Sequence, residues 1–269
     1  MKKINLSLLF LFVSLLAFGQ TDSTQVNTPA SDIAQIPNVV ITKVQADSAY
    51  INNDFVSAID MYETILKNDG ESADLYYNLG NSYYKTENIA KAILNYEKAL
   101  MLNPGDGDIR FNLELAQSKT VDKVTPISEM FFVTWTKSLA NLMSEKGWGK
   151  TGIFTFIAAL IGLALYFFSK KITLKKVGFI CAICLFLLCI VANLFASSQK
   201  TKIMKHENAI IMAPSVTVKS TPNEGGTDLF IIHEGRKVMI KDDTMKEWKE
   251  IQLEDGNAGW VPTSVIEVI

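Results

Sequence analysis

The 269-residue sequence predicts a multidomain membrane protein. An all-α helical-repeat module, two transmembrane helices and an all-β small barrel should follow one another along the chain. Three observations carry this expectation. A 34-residue period places small and aromatic residues in register through residues 39–119, the spacing of a stacked helical repeat. Two stretches, 151–169 and 177–198, contain no charged residue and are each long enough to cross a bilayer at 1.5 Å per residue. Beyond residue 205 the pattern shortens to strand-length apolar runs separated by Pro, Asn, Asp and Gly.

The balance of 26 Lys+Arg against 28 Asp+Glu, a net charge of -2, argues against a nucleic-acid partner, which requires a basic patch or stripe. A mean hydropathy of +0.17 is high for a chain with 20% charged residues, and the apolar surplus sits in three blocks. The first occupies residues 1–19 and has the layout of a signal peptide: Lys2 and Lys3, then an uncharged core, then Ala17-Phe18-Gly19 at a cleavage junction. Gln20 would be the new N-terminus, with an uncleaved anchor as the alternative; no cysteine lies near enough for lipoprotein processing. Residues 20–38, rich in Thr, Ser, Asp and Pro, read as a flexible leader.

The better of the repeats starts near Ala73, with Tyr76, Leu79, Gly80, Tyr83, Ala92, Tyr96, Ala99 and Pro104 in place. Gly80 and Ala92 are small where paired helices would cross, Tyr83 and Tyr96 fill the space between them, and Pro104 ends the second helix. These positions resemble the tetratricopeptide-repeat consensus. A shift of 34 residues back finds a weaker copy at Ala46, Ala58, Tyr62 and Gly70; a shift forward finds one helix, which is expected to cap the array. In that family the first helix of each unit lines a concave groove. The resemblance therefore implies a protein-binding groove made by Lys43, Tyr50, Tyr77, Asn81, Tyr84, Lys85 and Phe111. Lys43 and Asn78 match the family's carboxylate clamp, whereas Asp47 and Asp108 depart from it, so a clamp is not expected. Residues 20–149 hold 10 Lys+Arg against 17 Asp+Glu, a net of -7, which favours a basic or neutral partner over an acidic one.

Residues 120–149 read as an amphipathic aromatic linker helix, with Phe131, Trp135, Leu139 and Leu142 on one face. That face could lie in a membrane interface or pack on the last repeat. The transmembrane helices are placed at 150–169 and 177–198, joined by a loop at 170–176. Lys170, Lys171, Lys175 and Lys176 hold that loop in the cytoplasm, which puts both flanks outside. Lys200, Lys202 and Lys205 weaken this bias without reversing it. All three cysteines, Cys181, Cys184 and Cys189, fall in the second span, where a thiolate is disfavoured and solvent access is lost. They read as small packing residues rather than a redox pair.

Residues 207–269 supply strand-like runs at 209–212, 216–219, 237–240, 247–253 and 258–261. Trp248 in Glu-Trp-Lys-Glu-Ile and the run Gly259-Trp260-Val261-Pro262 resemble the later strands of bacterial SH3 domains. Trp248, Trp260 and Pro262 are the candidate surface that this resemblance implies. The polyproline-reading grooves are mostly missing: Val265 stands at a tyrosine position, and Ala213-Pro214-Ser215-Val216 replaces the tyrosine-rich early strand. The two tryptophans are accordingly expected in the core more than on a ligand platform.

No phosphate-binding loop, zinc-protease motif or paired metal ligands occur, and His206 and His233 have no partner at motif spacing. Catalysis, a cofactor and a metal are not expected. The whole order of segments, with Asp108-Ile109-Arg110-Phe111-Asn112-Leu113-Glu114 after the full repeat and Ala213 to Lys219 opening the barrel, resembles the BatE family of the Bacteroides aerotolerance operon. That resemblance implies an inner-membrane scaffold. Its periplasmic repeats and SH3-like domain would bind other envelope membrane proteins, Bat-type von Willebrand A domain proteins among them, in a stress-tolerance complex. Binding of peptidoglycan through the SH3-like domain is the alternative.

Overall fold

A computed structural model describes residues 41–123 and 130–269. The expected signal peptide (1–19), the leader (20–38) and the start of the linker (124–129) lie outside the described residues.

Five helices open the described chain: α1 (Lys43–Ile51), α2 (Phe55–Asp69), α3 (Ala73–Lys85), α4 (Ile89–Leu102) and α5 (Gly107–Ser118). They form two hairpin units, α1/α2 and α3/α4, followed by the single helix α5. The period is written into the turns as well as the helices. Asn53 and Glu87, 34 positions apart, both take left-handed backbone, with φ of 61° and 63°. The next residue in each turn caps the following helix: Asp54 accepts from the Ser57 N–H and Asn88 from the Lys91 N–H, both at 3.2 Å. Between helices, Ala46, Ala58, Gly80, Ala92 and Ala99 leave room for Tyr62, Tyr83 and Tyr96, all buried. A Cβ added at Gly80 would stand 2.7 Å from Cδ1 and Cε1 of the Tyr96 ring, so glycine is required by the approach of α4 to α3.

The linker differs from its expected form. Helix α6 (Phe131–Ala140) is short, and a turn at Asn141 leads to the Ser144 cap of α7 (Glu145–Phe168). The first long apolar helix thus begins five residues before the expected 150. Helix α8 (Ile172–Lys205) takes in most of the expected 170–176 loop and continues past 198. Its 34 residues make a rod of about 51 Å at 1.5 Å per residue. Both α7 and α8 are long and apolar enough to cross a membrane. They pack through small residues, Gly152, Thr155, Ala159 and Gly162 on α7 facing Gly178, Ala182 and Ala192 on α8. A Cβ at Gly162 would lie 3.0 Å from the Gly178 carbonyl oxygen, and one at Gly178 would lie 2.8 Å from that of Gly162; backbone meets backbone here.

Near its C-terminal end α8 holds the turn after α6. Gln199, 4% exposed, donates to the Ala140 carbonyl and, at 2.8 Å, to the Met143 carbonyl. The Trp148 indole N–H donates to the same Ala140 oxygen at 2.8 Å, and its ring meets Phe195 edge-on. Carbonyls left open where α6 ends are thereby satisfied by side chains from both long helices. Phe131, Trp135 and Leu142 are exposed, at 84%, 63% and 63%, while the Leu142 backbone lies against Gly105 of the repeat segment.

The chain closes in a seven-stranded antiparallel sheet of order β3-β2-β6-β5-β4-β1-β7. Its strands are β1 (Asn208–Ile211), β2 (Ser215–Lys219), β3 (Asp228–His233), β4 (Lys237–Asp242), β5 (Trp248–Gln252), β6 (Ala258–Pro262) and β7 (Ile266–Val268). Strands β3 and β7 are additional to the five expected, and they form the two edges of the sheet. Each has only one neighbour and a short or half-exposed apolar pattern, which weakens the periodic signal. Ala209, Ile211, Val216, Val218, Ile232, Val238, Ile251 and Val261 form the core of the sheet.

The repeats and the sheet are not separate modules. Ile41–Ile269 is one compact unit. Successive residues of β1 point to opposite sides: Ala209 and Ile211 enter the sheet core, while Ile210, with Ile269, enters the core of the repeats. This explains why Ala209-Ile210-Ile211 is apolar throughout instead of alternating. At the seam Lys237 meets Glu97 at 2.6 Å, and Asp122 accepts from both the His233 N–H and its ring Nδ1, each at 2.8 Å.

Candidate protein-binding face of the repeats

The first helices of the units, α1, α3 and α5, stand side by side, and a hydrogen-bond ladder ties them together beneath their common face. The Tyr62 hydroxyl donates to Asp47 Oδ1 at 2.6 Å, and Asn78 Nδ2 donates to the same oxygen at 3.1 Å. One repeat later, Tyr96 donates to Asn81 Oδ1 at 2.7 Å and Asn112 Nδ2 to that oxygen at 2.9 Å. Each member of the second set stands 34 positions after its counterpart, so one polar arrangement is built twice. Asn112 also donates to the Tyr77 hydroxyl at 3.0 Å, and the Tyr77 ring lies 6.1 Å from that of Tyr96.

This ladder redefines several of the expected groove residues. Asn81 lies in the face, but its carbonyl oxygen is committed to holding α4 and α5. Lys43 pairs with Asp47 at 2.8 Å, so the two clamp-like positions, Lys43 and Asn78, both serve Asp47. Tyr50 packs edge-on against Phe55, with ring centroids 5.3 Å apart. The Lys119 ammonium lies 4.3 Å from the Tyr84 ring centroid. Lys85 is exposed at the end of α3, and Phe111 is 65% exposed on α5. Tyr77 and Tyr84 are half-buried on this face. Reading the sequence residue by residue missed Tyr62, Tyr96 and Asn112 as the supports of this face; recurrence of Tyr and Asn at the 34-residue period was the available signal.

Asp47 carries the electrostatics of the first unit. Partial burial pushes its carboxyl up, but hydrogen bonds from Lys43, Tyr62 and Asn78 outweigh this and hold it below the usual carboxylate range. A group depressed in the folded state contributes stability above its unfolded pKa and loses it as pH falls through the folded value. The first unit should therefore loosen below about pH 4. Hydrogen exchange of α1 amides against pH should show this loss in the native chain and not in Asp47→Asn.

The opposite side of the array is covered. Helix α4 packs against β1 and α8, and Lys98 approaches Glu267 of β7 at 4.0 Å.

On the sheet, Trp248 pairs across from Pro262, and Trp260 stands across from Glu250 on one side and Lys219 on the other. Ile251 on β5 and Val261 on β6, at positions of the opposite parity, point into the core. Trp248, Trp260 and Pro262 therefore share the outer face of β5 and β6, half-buried and outside the core. The expectation that both tryptophans lie in the core is corrected: the alternation of each strand gives the inward positions to their smaller neighbours.

Comparison with known proteins bears on the helical part. The family model of the tetratricopeptide repeat matches residues 73–106, which covers α3, α4 and the turn after them. No curated protein matches the chain.

Proposed function

We propose that this chain is a non-enzymatic scaffold of a bacterial inner membrane, crossing it with α7 and α8 and presenting the repeats and an SH3-like sheet to the periplasm. The repeats dock other envelope membrane proteins, and the resemblance to the Bat family makes von Willebrand A domain proteins of a stress-tolerance complex the expected class. The observation that carries this reading is the division of the repeat surface. One face of the array is contacted by the sheet and α8, and the other presents Tyr77, Tyr84 and Phe111 on a segment of net negative charge. Tetratricopeptide repeats generally mediate protein–protein contacts. Large aromatic anchors on such a face are where binding energy concentrates.

The lysines at the α7–α8 turn and the lysine-led N-terminus support the orientation. The exposed aromatic face of α6, continuous with α7, suits the headgroup level of the outer leaflet.

The test is affinity purification of the tagged full-length protein from detergent-solubilised membranes, with mass spectrometry of what is retained. Envelope membrane proteins should be recovered with the native chain. Recovery should fall at least about tenfold when Tyr77 and Tyr84 are both replaced by alanine, as expected for the loss of aromatic anchors. Equal recovery with both chains would remove the groove from the proposal. If no protein partner is found, co-sedimentation of the full-length protein with purified sacculi decides the second reading, peptidoglycan binding. The placing of Trp248, Trp260 and Pro262 on one outer face favours that reading.

A further inference from the structure

The seam between the repeats and the sheet encloses a cavity of about 360 Å³, within the range of small-ligand sites. Its walls are the C-terminal half of α5 with the segment after it, the turn from β3 to β4, and Glu254 beyond β5. Most of the charged groups here already have partners. Lys237 is held by Glu97, Asp122 by His233, and the Lys123 ammonium by the Ser118 and Thr120 carbonyls at 2.9 Å and 3.2 Å.

Among the described cations of the wall, Arg236 is the exception. It is 8% exposed, lines the cavity, and its guanidinium has no hydrogen bond or ion pair among the described residues. What accessible surface Arg236 keeps reaches its guanidinium nitrogens, so the group is free to take a partner in the cavity. Glu114 and Glu254 line the same cavity without reaching Arg236 within ion-pair distance. Opposite charges thus face one space and leave it unbridged.

We propose that this cavity binds a small zwitterion carrying adjacent carboxylate and amine groups, with its carboxylate on Arg236 and its amine toward Glu114 and Glu254. The planar guanidinium matches a carboxylate in a two-pronged pair. The two glutamates disfavour a dianion such as phosphate and favour a ligand that brings its own positive charge. A free amino acid and the end of a short peptide both present this chemistry. The inference goes beyond the docking of proteins on the repeat face, because the cavity is lined from the seam and by none of Tyr77, Tyr84 or Phe111.

The experiment is isothermal titration calorimetry of the full-length protein in detergent micelles. The probes are alanine, alanylalanine, alaninamide, N-acetylalanine and inorganic phosphate. Alanine or alanylalanine should bind, and the better of the two identifies the source as a free amino acid or a peptide. Alaninamide and N-acetylalanine should each bind at least about tenfold more weakly, one lacking the carboxylate and the other the amine. Arg236→Met should lose at least about tenfold in affinity for the better probe while its melting temperature holds, since the guanidinium makes no bond to the described residues. Glu254→Gln, at an exposed position, should weaken binding with the melt unchanged. The proposal is overturned if neither alanine nor alanylalanine binds at millimolar concentration, or if phosphate binds as well as they do. It also fails if Arg236→Met lowers the melting temperature and leaves probe binding as it was, which would make the arginine a structural group.

Discussion

Gly235→Ala is expected to destabilise the chain by about 2–5 kcal/mol and to separate the melting of the sheet from that of the repeats. Two effects add. Gly235 sits at φ +79°, where an L side chain costs about 1–2 kcal/mol. A Cβ there would also stand 2.7 Å from Thr120 Cγ2 and 2.9 Å from Ile93 Cδ1, an overpacking that costs about 1–3 kcal/mol. Neither neighbour yields easily. Ile93 is fully buried, and Thr120 is held by its hydroxyl bond to the Gln117 carbonyl at 2.7 Å. The turn that carries Gly235 is also the turn that brings His233 to Asp122 and Lys237 to Glu97, so displacing it loosens those contacts together. Gly256→Ala is the control, because its φ of +92° carries the same backbone strain with nothing within 4 Å of the new Cβ. Denaturation of the detergent-solubilised protein, followed by near-ultraviolet circular dichroism and limited proteolysis, should show two transitions for Gly235→Ala and one for Gly256→Ala. If both variants melt alike, the seam does not depend on that close approach.

The second large effect should come from Tyr96. Its ring is 1% exposed, fills the space opened by Gly80 and leans on Tyr77, so Tyr96→Ala leaves a cavity worth about 3–5 kcal/mol by comparison with other buried aromatics. Tyr96→Phe keeps the ring and removes only the bond to Asn81, and Asn81 Oδ1 still accepts from Asn112. That variant should lose only about 1 kcal/mol. Urea denaturation of the two variants beside the native chain measures the difference. Equal losses would mean that the hydroxyl, not the ring, organises the repeat. Because Ile210 and Ile269 share the core that contains Tyr96, the alanine variant should lower the stability of the sheet as well as that of the helices.

Much of this architecture was legible in the residues. The 34-residue recurrence of small residues and tyrosines located α1 to α5, since each position is set by contacts within one hairpin. The charge-free runs located α7 and α8. Cap and turn residues marked most strand boundaries. Errors fell where a neighbour distant in sequence intervened. The expected linker helix breaks at Asn141 because Gln199 and Trp148 satisfy the carbonyls exposed by ending α6 there. Trp248 and Trp260 lie on the outer face because the core of the sheet is filled by Ile251 and Val261. Asn81 is partly a structural residue because Tyr96 and Asn112 reach it from two other helices.

Properties with a short repeat length are encoded locally along the chain: helical periods, uninterrupted apolar spans, and turns. These depend on local geometry, 3.6 residues per helical turn and two per strand repeat, and a stretch of a dozen residues displays them. How the elements meet is set by contacts between residues far apart in the chain. Glu97 and Lys237 are 140 positions apart, Asp122 and His233 are 111 apart, and no local pattern brings either pair together. Their meeting joins the repeats to the sheet, covers one face of the array and leaves Arg236 buried at the edge of a cavity. Such a juxtaposition follows from the burial of apolar surface across the whole chain, in which Ile210 and Ile269 complete a core begun by helices more than a hundred residues earlier.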